Sequence, residues 1–173
     1  MKKNAGFTLV ELMIAIAVIG IMVGLVAPNF NVWSENENFI SSVEDVRGIL
    51  QRAKMAAIND RCNVIVKFSD SGSSGTYHAF VDDDGGTPEV YDDGETEVIP
   101  ECAIPGNGEL SNVAFDGILD NTTRFNSMGI SIGYAGILTL KNENLETSFR
   151  RIVISTAGNI KMEKSADGNV WYY

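Results

Sequence analysis

The residues best placed to do chemistry stand near the start of the chain: Gly6, Phe7 and Glu11, in Lys2-Lys3-Asn4-Ala5-Gly6-Phe7-Thr8-Leu9-Val10-Glu11. Two lysines ahead of a long uncharged apolar run have the order of a targeting signal. An ordinary secretory signal places small residues after its apolar core and is cut there. Here the run ends at Val26-Ala27-Pro28 and passes into Asn29 and Phe30. The only short polar leader ending in glycine is Met1 to Gly6. Glu11 carries the one charge inside the run. An unpaired carboxylate in an apolar medium is costly, which predicts a partner for it.

Few other residues suggest catalysis or ligation. Cys62 and Cys102 are the only cysteines. In an oxidising compartment the even count favours a bridge. It would close a loop of about 40 residues and stabilise by roughly 3–4 kcal/mol in the chain-entropy description. Two unpaired, half-buried thiols are the other reading. With no Cys-x-x-Cys and a single histidine, His78, no metal site is expected. Asp82-Asp83-Asp84 before Gly85-Gly86 offers carboxylates to calcium. The alternating acidic order and closing glutamate of an EF-hand loop are missing, so a solvated acidic turn is the expectation. His78 stands mid-strand in Thr76-Tyr77-His78-Ala79-Phe80 with no nucleophile signature near it. Ser71, Ser73 and Ser74 lie in loop sequence, and no phosphate loop occurs. Neither enzymatic activity nor a cofactor is expected.

The elements that must hold these residues begin with one long helix. Phe7 to Pro28 is 22 residues with Glu11 as the only charge. At about 1.5 Å per residue that is roughly 33 Å, against about 30 Å of hydrocarbon. The segment is long enough to span a bilayer once, and no second such run follows. Lys2 and Lys3 place the N-terminus on the cytoplasmic side, with everything after about Asn29 on the far side. Gly20 and Gly24 form a Gly-x-x-x-Gly pattern that could pack helices. Pro28 is expected to kink or interrupt the helix.

Past Pro28 the pattern turns amphipathic. Phe39, Val43, Val46, Leu50, Ala53 and Ala57 recur at alternating spacings of four and three, which is one helix face. Glu37, Glu44, Asp45, Arg47, Gln51, Arg52 and Lys54 occupy the opposite side. The stripe should lie on a globular domain; a coiled-coil seam is the weaker reading, since it lasts under three heptads. The helix should stop near Asn59-Asp60. From there the period switches to two. Strands are expected at 62–68, 76–81, 97–99, 113–115, 123–125, 137–140, 151–155 and 159–163. Loops are expected at 69–75 and through the acidic 82–88, and a tight hairpin turn at Ala157-Gly158-Asn159. One helix with many short strands implies an α+β domain on antiparallel sheets.

The N-terminal stretch resembles the class III signal of type IV pilins and type II secretion pseudopilins, with glycine, aromatic, glutamate and apolar run in register. Three roles follow from that resemblance: Gly6 precedes the cut made by a prepilin peptidase, Phe7 becomes the N-methylated terminus, and Glu11 acts in subunit assembly. The second half resembles the GspH/FimT pseudopilins. This likeness rests on Phe125-Asn126-Ser127-Met128-Gly129, on Gly136 to Asn142, on Arg150 to Ser155, and on Gly158-Asn159-Ile160-Lys161. The fold implied is a long N-terminal helix packed on two antiparallel sheets. Segment 69–119 contributes only generic hairpins.

The resemblance divides the chain into a cleaved leader (1–6), a transmembrane and assembly helix (7–28), its amphipathic continuation (29–60) and a β-rich globular domain (61–173). It implies a minor pilin-like structural subunit of the inner membrane, single-pass, with the C-terminal domain on the periplasmic or extracellular side. Partners would be other major and minor pilins or pseudopilins. Removing the leader takes the side-chain balance to 11 basic against 23 acidic, or −12. Such a surface repels nucleic acid, whose affinity rests on lysine and arginine. Two other readings stay open. One is a FimT-like DNA-uptake pilin using Arg150, Arg151, Lys161 and Lys164 with Trp171, Tyr172 and Tyr173 stacking on bases. The other is a plain anchored periplasmic domain. The sequence does not choose between a type II secretion pseudopilus and a type IV pilus.

Overall fold

The computed structural model describes residues 7–69, 75–82, 91, 95–106, 108–116, 121–142 and 145–172; for 25–29 and 145–147 it describes backbone only. The chain forms two compact units, Met1–Glu35 and Asn36–Tyr173. Helix α1 (Leu9–Asp60) begins in the first and ends in the second.

In the first unit α1 runs unbroken through Pro28, where a kink or an interruption was expected. A proline removes one backbone donor, and the bonds on either side suffice to carry the ladder past it. Leu9, Val10, Met13, Ile16 and Ile21 are all exposed. A Cβ at Gly20 or Gly24 would meet nothing within 4 Å. Among the described residues no helix is long and apolar enough to cross a membrane.

In the second unit the helix stripe is the centre of the core. Phe39, Val43, Val46, Leu50, Ala53 and Ala57 are buried, as the three-four spacing requires. They pack with two antiparallel four-stranded sheets. The first sheet contains β1 (Asn63–Ser69), β2 (Thr76–Asp82), β3 (Glu97–Ala103) and β5 (Thr122–Phe125), in the order β3-β2-β1-β5. The second contains β4 (Gly108–Phe115), β6 (Gly136–Asn142), β7 (Leu145–Ile154) and β8 (Ile160–Ser165), in the order β4-β6-β7-β8. The α+β class and the helix packed on antiparallel sheets are therefore as expected. Val64, Val66 and Phe68 of β1 join Leu138 and Leu140 of β6 and Ile152 and Ile154 of β7 in one cluster. Phe68 stacks on Phe115 at 6.1 Å, tying one sheet to the other.

Ile65 is also fully buried, although it alternates to the far face of β1. It stands opposite Phe80, whose ring meets His78 and Tyr91. The first sheet thus carries a smaller apolar layer on its outer side. That explains the uninterrupted Val64-Ile65-Val66 run, since a strand covered on both faces need not alternate.

The eight strands fall where alternation places them, with longer bounds. The largest extension is β7, which begins at Leu145 because its early residues continue the pairing with β6. Loop residues 70–74 and most of the acidic 83–94 segment lie outside the described residues.

The helix ends as the sequence suggests, by a mechanism the sequence does not advertise. Arg61 adopts φ 54°, and the Cys62 amide donates to the Ala57 carbonyl at 3.2 Å. This is a Schellman stop with arginine where glycine is favoured. A left-handed non-glycine residue costs roughly 1–2 kcal/mol, and glycine returns part of that as backbone entropy. Arg61→Gly should therefore raise stability by about 0.5–1 kcal/mol, read as a higher midpoint in urea at unchanged slope.

Candidate functional site

At the N-terminus of α1, Thr8 and Glu11 close on one another. The Thr8 amide donates to Glu11 Oε2 at 2.9 Å and the Thr8 hydroxyl to the same oxygen at 3.1 Å. The Glu11 amide donates back to Thr8 Oγ1 at 3.3 Å. This is a reciprocal capping box, with threonine at the N-cap and glutamate three residues on. The partner expected for Glu11 is thus supplied within its own helix turn. The anion also sits at the positive end of the helix dipole. Thr8 had no role in the sequence reading, although Thr-x-x-Glu ahead of an apolar run is a visible capping signal. Phe7, immediately before the cap, is 90% exposed. Gly6 lies outside the described residues.

The expected Cys62–Cys102 bridge is not formed; both thiols are free and half-buried. Strand register gives the reason. Cys102 on β3 is opposite Tyr77, and Tyr77 is opposite Phe68 of β1. Cys62 precedes Asn63 at the other end of β1. Six residues at about 3.3 Å put roughly 20 Å between the two levels, before adding two strand spacings. A bridge needs Cα atoms within about 7 Å. Burial, with Asp60 nearby, pushes the Cys62 thiol up, which disfavours its reactive thiolate.

The remaining candidates are scattered. Asp82 is buried on β2 with an oxygen 3.8 Å from Arg124, whose guanidinium lies over the Tyr134 ring. Asp83 and Asp84, the rest of the suggested calcium turn, lie outside the described residues. His78 contacts Glu97 at 3.0 Å and the ring of Tyr91. Arg151 pairs with Glu163 and lies under Trp171, while Tyr172 bridges to Lys164 of β8. Burial pushes the Arg150 guanidinium down.

Asp167 organises the loop that returns Trp171 and Tyr172 to β8. It accepts from the amides of Asn169 and Val170 and from the Ser165 hydroxyl. Those bonds, the Val170 amide first, bring its carboxyl down to about 2 from 3.8. The depressed value adds stability above 3.8 that is lost as pH falls through about 2. Asp167→Asn should therefore melt lower than the unaltered protein at neutral pH. The gap should close as pH drops to about 2, as followed by thermal unfolding at stepped pH.

The turns singled out in the second half meet at the C-terminal end of α1. Asn126 accepts through Oδ1 from the amides of Met128 and Ile130, and its carbonyl accepts from Gly129 at 2.7 Å. The Ser131 amide donates to the Thr156 carbonyl of the β7–β8 turn. Lys54 Nζ on the helix donates to the Gly158 carbonyl at 2.8 Å. Helix, β5–β6 connection and β7–β8 hairpin are pinned together there. Lys54 is a residue whose role the sequence did not reveal, because its partner is over a hundred positions away.

Comparison with known proteins agrees with this arrangement. Residues 1–27 match the prokaryotic N-terminal methylation motif. Residues 42–158, more than half of the chain, match the type II transport protein GspH. No curated protein and no solved structure matches the chain. The match at 42–158 takes in the end of the core helix and every strand but β8, and the motif at 1–27 takes in the Thr8–Glu11 cap. The chain belongs to the GspH family of pilin-like pseudopilins.

Proposed function

We propose that the chain is a minor pseudopilin made as a single-pass inner-membrane precursor. A prepilin peptidase cuts after Gly6, and the new Phe7 amine is methylated. The helix then leaves the bilayer for a bundle with neighbouring subunits, while the sheet domain contacts other minor subunits. The observation that carries this reading is the methylation motif at residues 1–27, with Gly6, Phe7 and Glu11 in register. The site supplies matching chemistry. Phe7 stands exposed before a helix cap, accessible to cleavage and then to methylation. Glu11 is an anion one turn from the ammonium that cleavage creates.

Intact-mass measurement of the protein expressed with and without a prepilin peptidase tests the reading. The expected product begins at Phe7 and is heavier by one methyl group. An uncut chain, or one cut near Ala27, would refute it. The match at residues 42–158 favours a type II secretion machine over a type IV pilus. Deleting the gene should then block export of folded proteins and leave twitching unchanged.

A further inference from the structure

We propose that Phe30 and Trp33 form an interfacial anchor that seats the precursor helix in the outer headgroup layer of the inner membrane. The inference rests on the single-pass reading above and adds the depth at which the helix is held. Phe30 and Trp33 are one helical turn apart on α1. Their rings pack at 5.6 Å, and they are 56% and 57% exposed. An aromatic pair this open to solvent is an apolar surface awaiting a cover. Length identifies the cover. Phe30 and Trp33 lie 21 and 24 residues beyond Leu9, or about 32 Å and 36 Å along the helix. With Leu9 at the inner edge of about 30 Å of hydrocarbon, Phe30 reaches the outer edge and Trp33 enters the headgroup zone. A helix tilt of about 20° shortens both by only ~2 Å.

The residue types agree with that depth. Tryptophan favours this layer, because its ring is apolar while its indole N–H seeks a polar acceptor. Asn29, Asn31 and Ser34 are polar neighbours, and Glu35 and Glu37 follow on the aqueous side. The leader lysines hold the inner end and the aromatic pair the outer end. Between them they fix the helix register in the bilayer, and with it the depth of the Gly6–Phe7 bond.

The test uses the full precursor in vesicles of phosphatidylethanolamine and phosphatidylglycerol. The chain has two tryptophans, so the Trp33 signal is the difference between the unaltered protein and Trp33→Phe, which leaves Trp171 in place. The expected result is a blue-shifted Trp33 component. Lipids brominated near the headgroup should quench it more than lipids brominated near the chain end, and acrylamide should quench it only weakly. Flotation of the vesicles reports anchoring separately. A chain that floats while Trp33 is quenched by acrylamide alone overturns the anchor and leaves the single-pass reading intact. Strong quenching by the deep bromines overturns the interfacial depth. Protection from both lipid and acrylamide overturns the lipid partner in favour of a second copy of the helix. A chain that fails to float overturns both readings.

Discussion

Glu11→Ala should leave cleavage after Gly6 intact and impair incorporation into filaments. The Gly6–Phe7 bond proposed for cleavage precedes the helix, which begins at Leu9. Assembly is different. In the lone chain the carboxylate accepts from the Thr8 amide and hydroxyl, so its charge is held by groups that keep it fixed at the helix start. In a bundle of helices the same oxygens can meet the N-terminal ammonium of a neighbour. In a low-dielectric setting, opposite charges at hydrogen-bond distance interact far more strongly than in water. A neighbour lacking the carboxylate would leave that ammonium without a counter-charge, which is the costly half of breaking a buried pair. Glu11→Gln separates the two roles. Glutamine can still close a capping box but carries no charge. If charge pairing drives assembly, Glu11→Gln fails like Glu11→Ala. If capping alone matters, Glu11→Gln assembles. Mass spectrometry reads cleavage, and the yield of sheared filaments reads assembly. A normal filament yield from Glu11→Ala would sink the pairing.

The parts of this molecule that were legible in the sequence are those governed by local period. The Phe39–Ala57 stripe is set by the helical repeat alone, and all six of its residues are buried. The strands after Asp60 follow alternation, though their ends do not, because β7 extends to Leu145 through pairing with β6. Local chemistry marks only the start of the helix. Thr8 and Glu11 stand at capping-box spacing, whereas the stop at Arg61 uses a residue no rule would select. What the sequence could not yield was anything that depends on which strand lies beside which. Counting cysteines favoured a bridge. The β3-β2-β1-β5 order and the Tyr77 register place the two thiols at opposite ends of a sheet. The buried Ile65–Phe80 layer and the Lys54 bond to Gly158 are likewise products of topology.

The second large effect is expected at that Lys54 bond. Gly158→Ala should destabilise the sheet domain by about 2–5 kcal/mol, from two sources that add. Gly158 has φ +73°, where a Cβ costs roughly 1–2 kcal/mol. That Cβ would also stand 1.9 Å from the Gly129 carbonyl oxygen and 3.0 Å from its carbon. Both are backbone atoms and cannot rotate aside as a side chain would. The Gly129 turn is held in turn by the Asn126 side chain and lies against Ile58 and Lys54 of the helix. Relief therefore means moving a hairpin away from α1, with loss of the Lys54 bond; overpacking of this kind costs roughly 1–3 kcal/mol. Gly133→Ala is the control. Gly133 shares the positive φ, at +74°, but a Cβ there meets nothing within 4 Å. It should cost only the backbone part, roughly 1–2 kcal/mol. Thermal unfolding of the detergent-solubilised chain, followed in the far ultraviolet, would compare the two. A Tm drop of roughly 4–20 °C is expected for Gly158→Ala and a drop of a few degrees for Gly133→Ala. Equal drops would mean that the Gly158–Gly129 contact yields without cost. The three-way junction of helix and two turns would then not be what fixes the hairpin against α1.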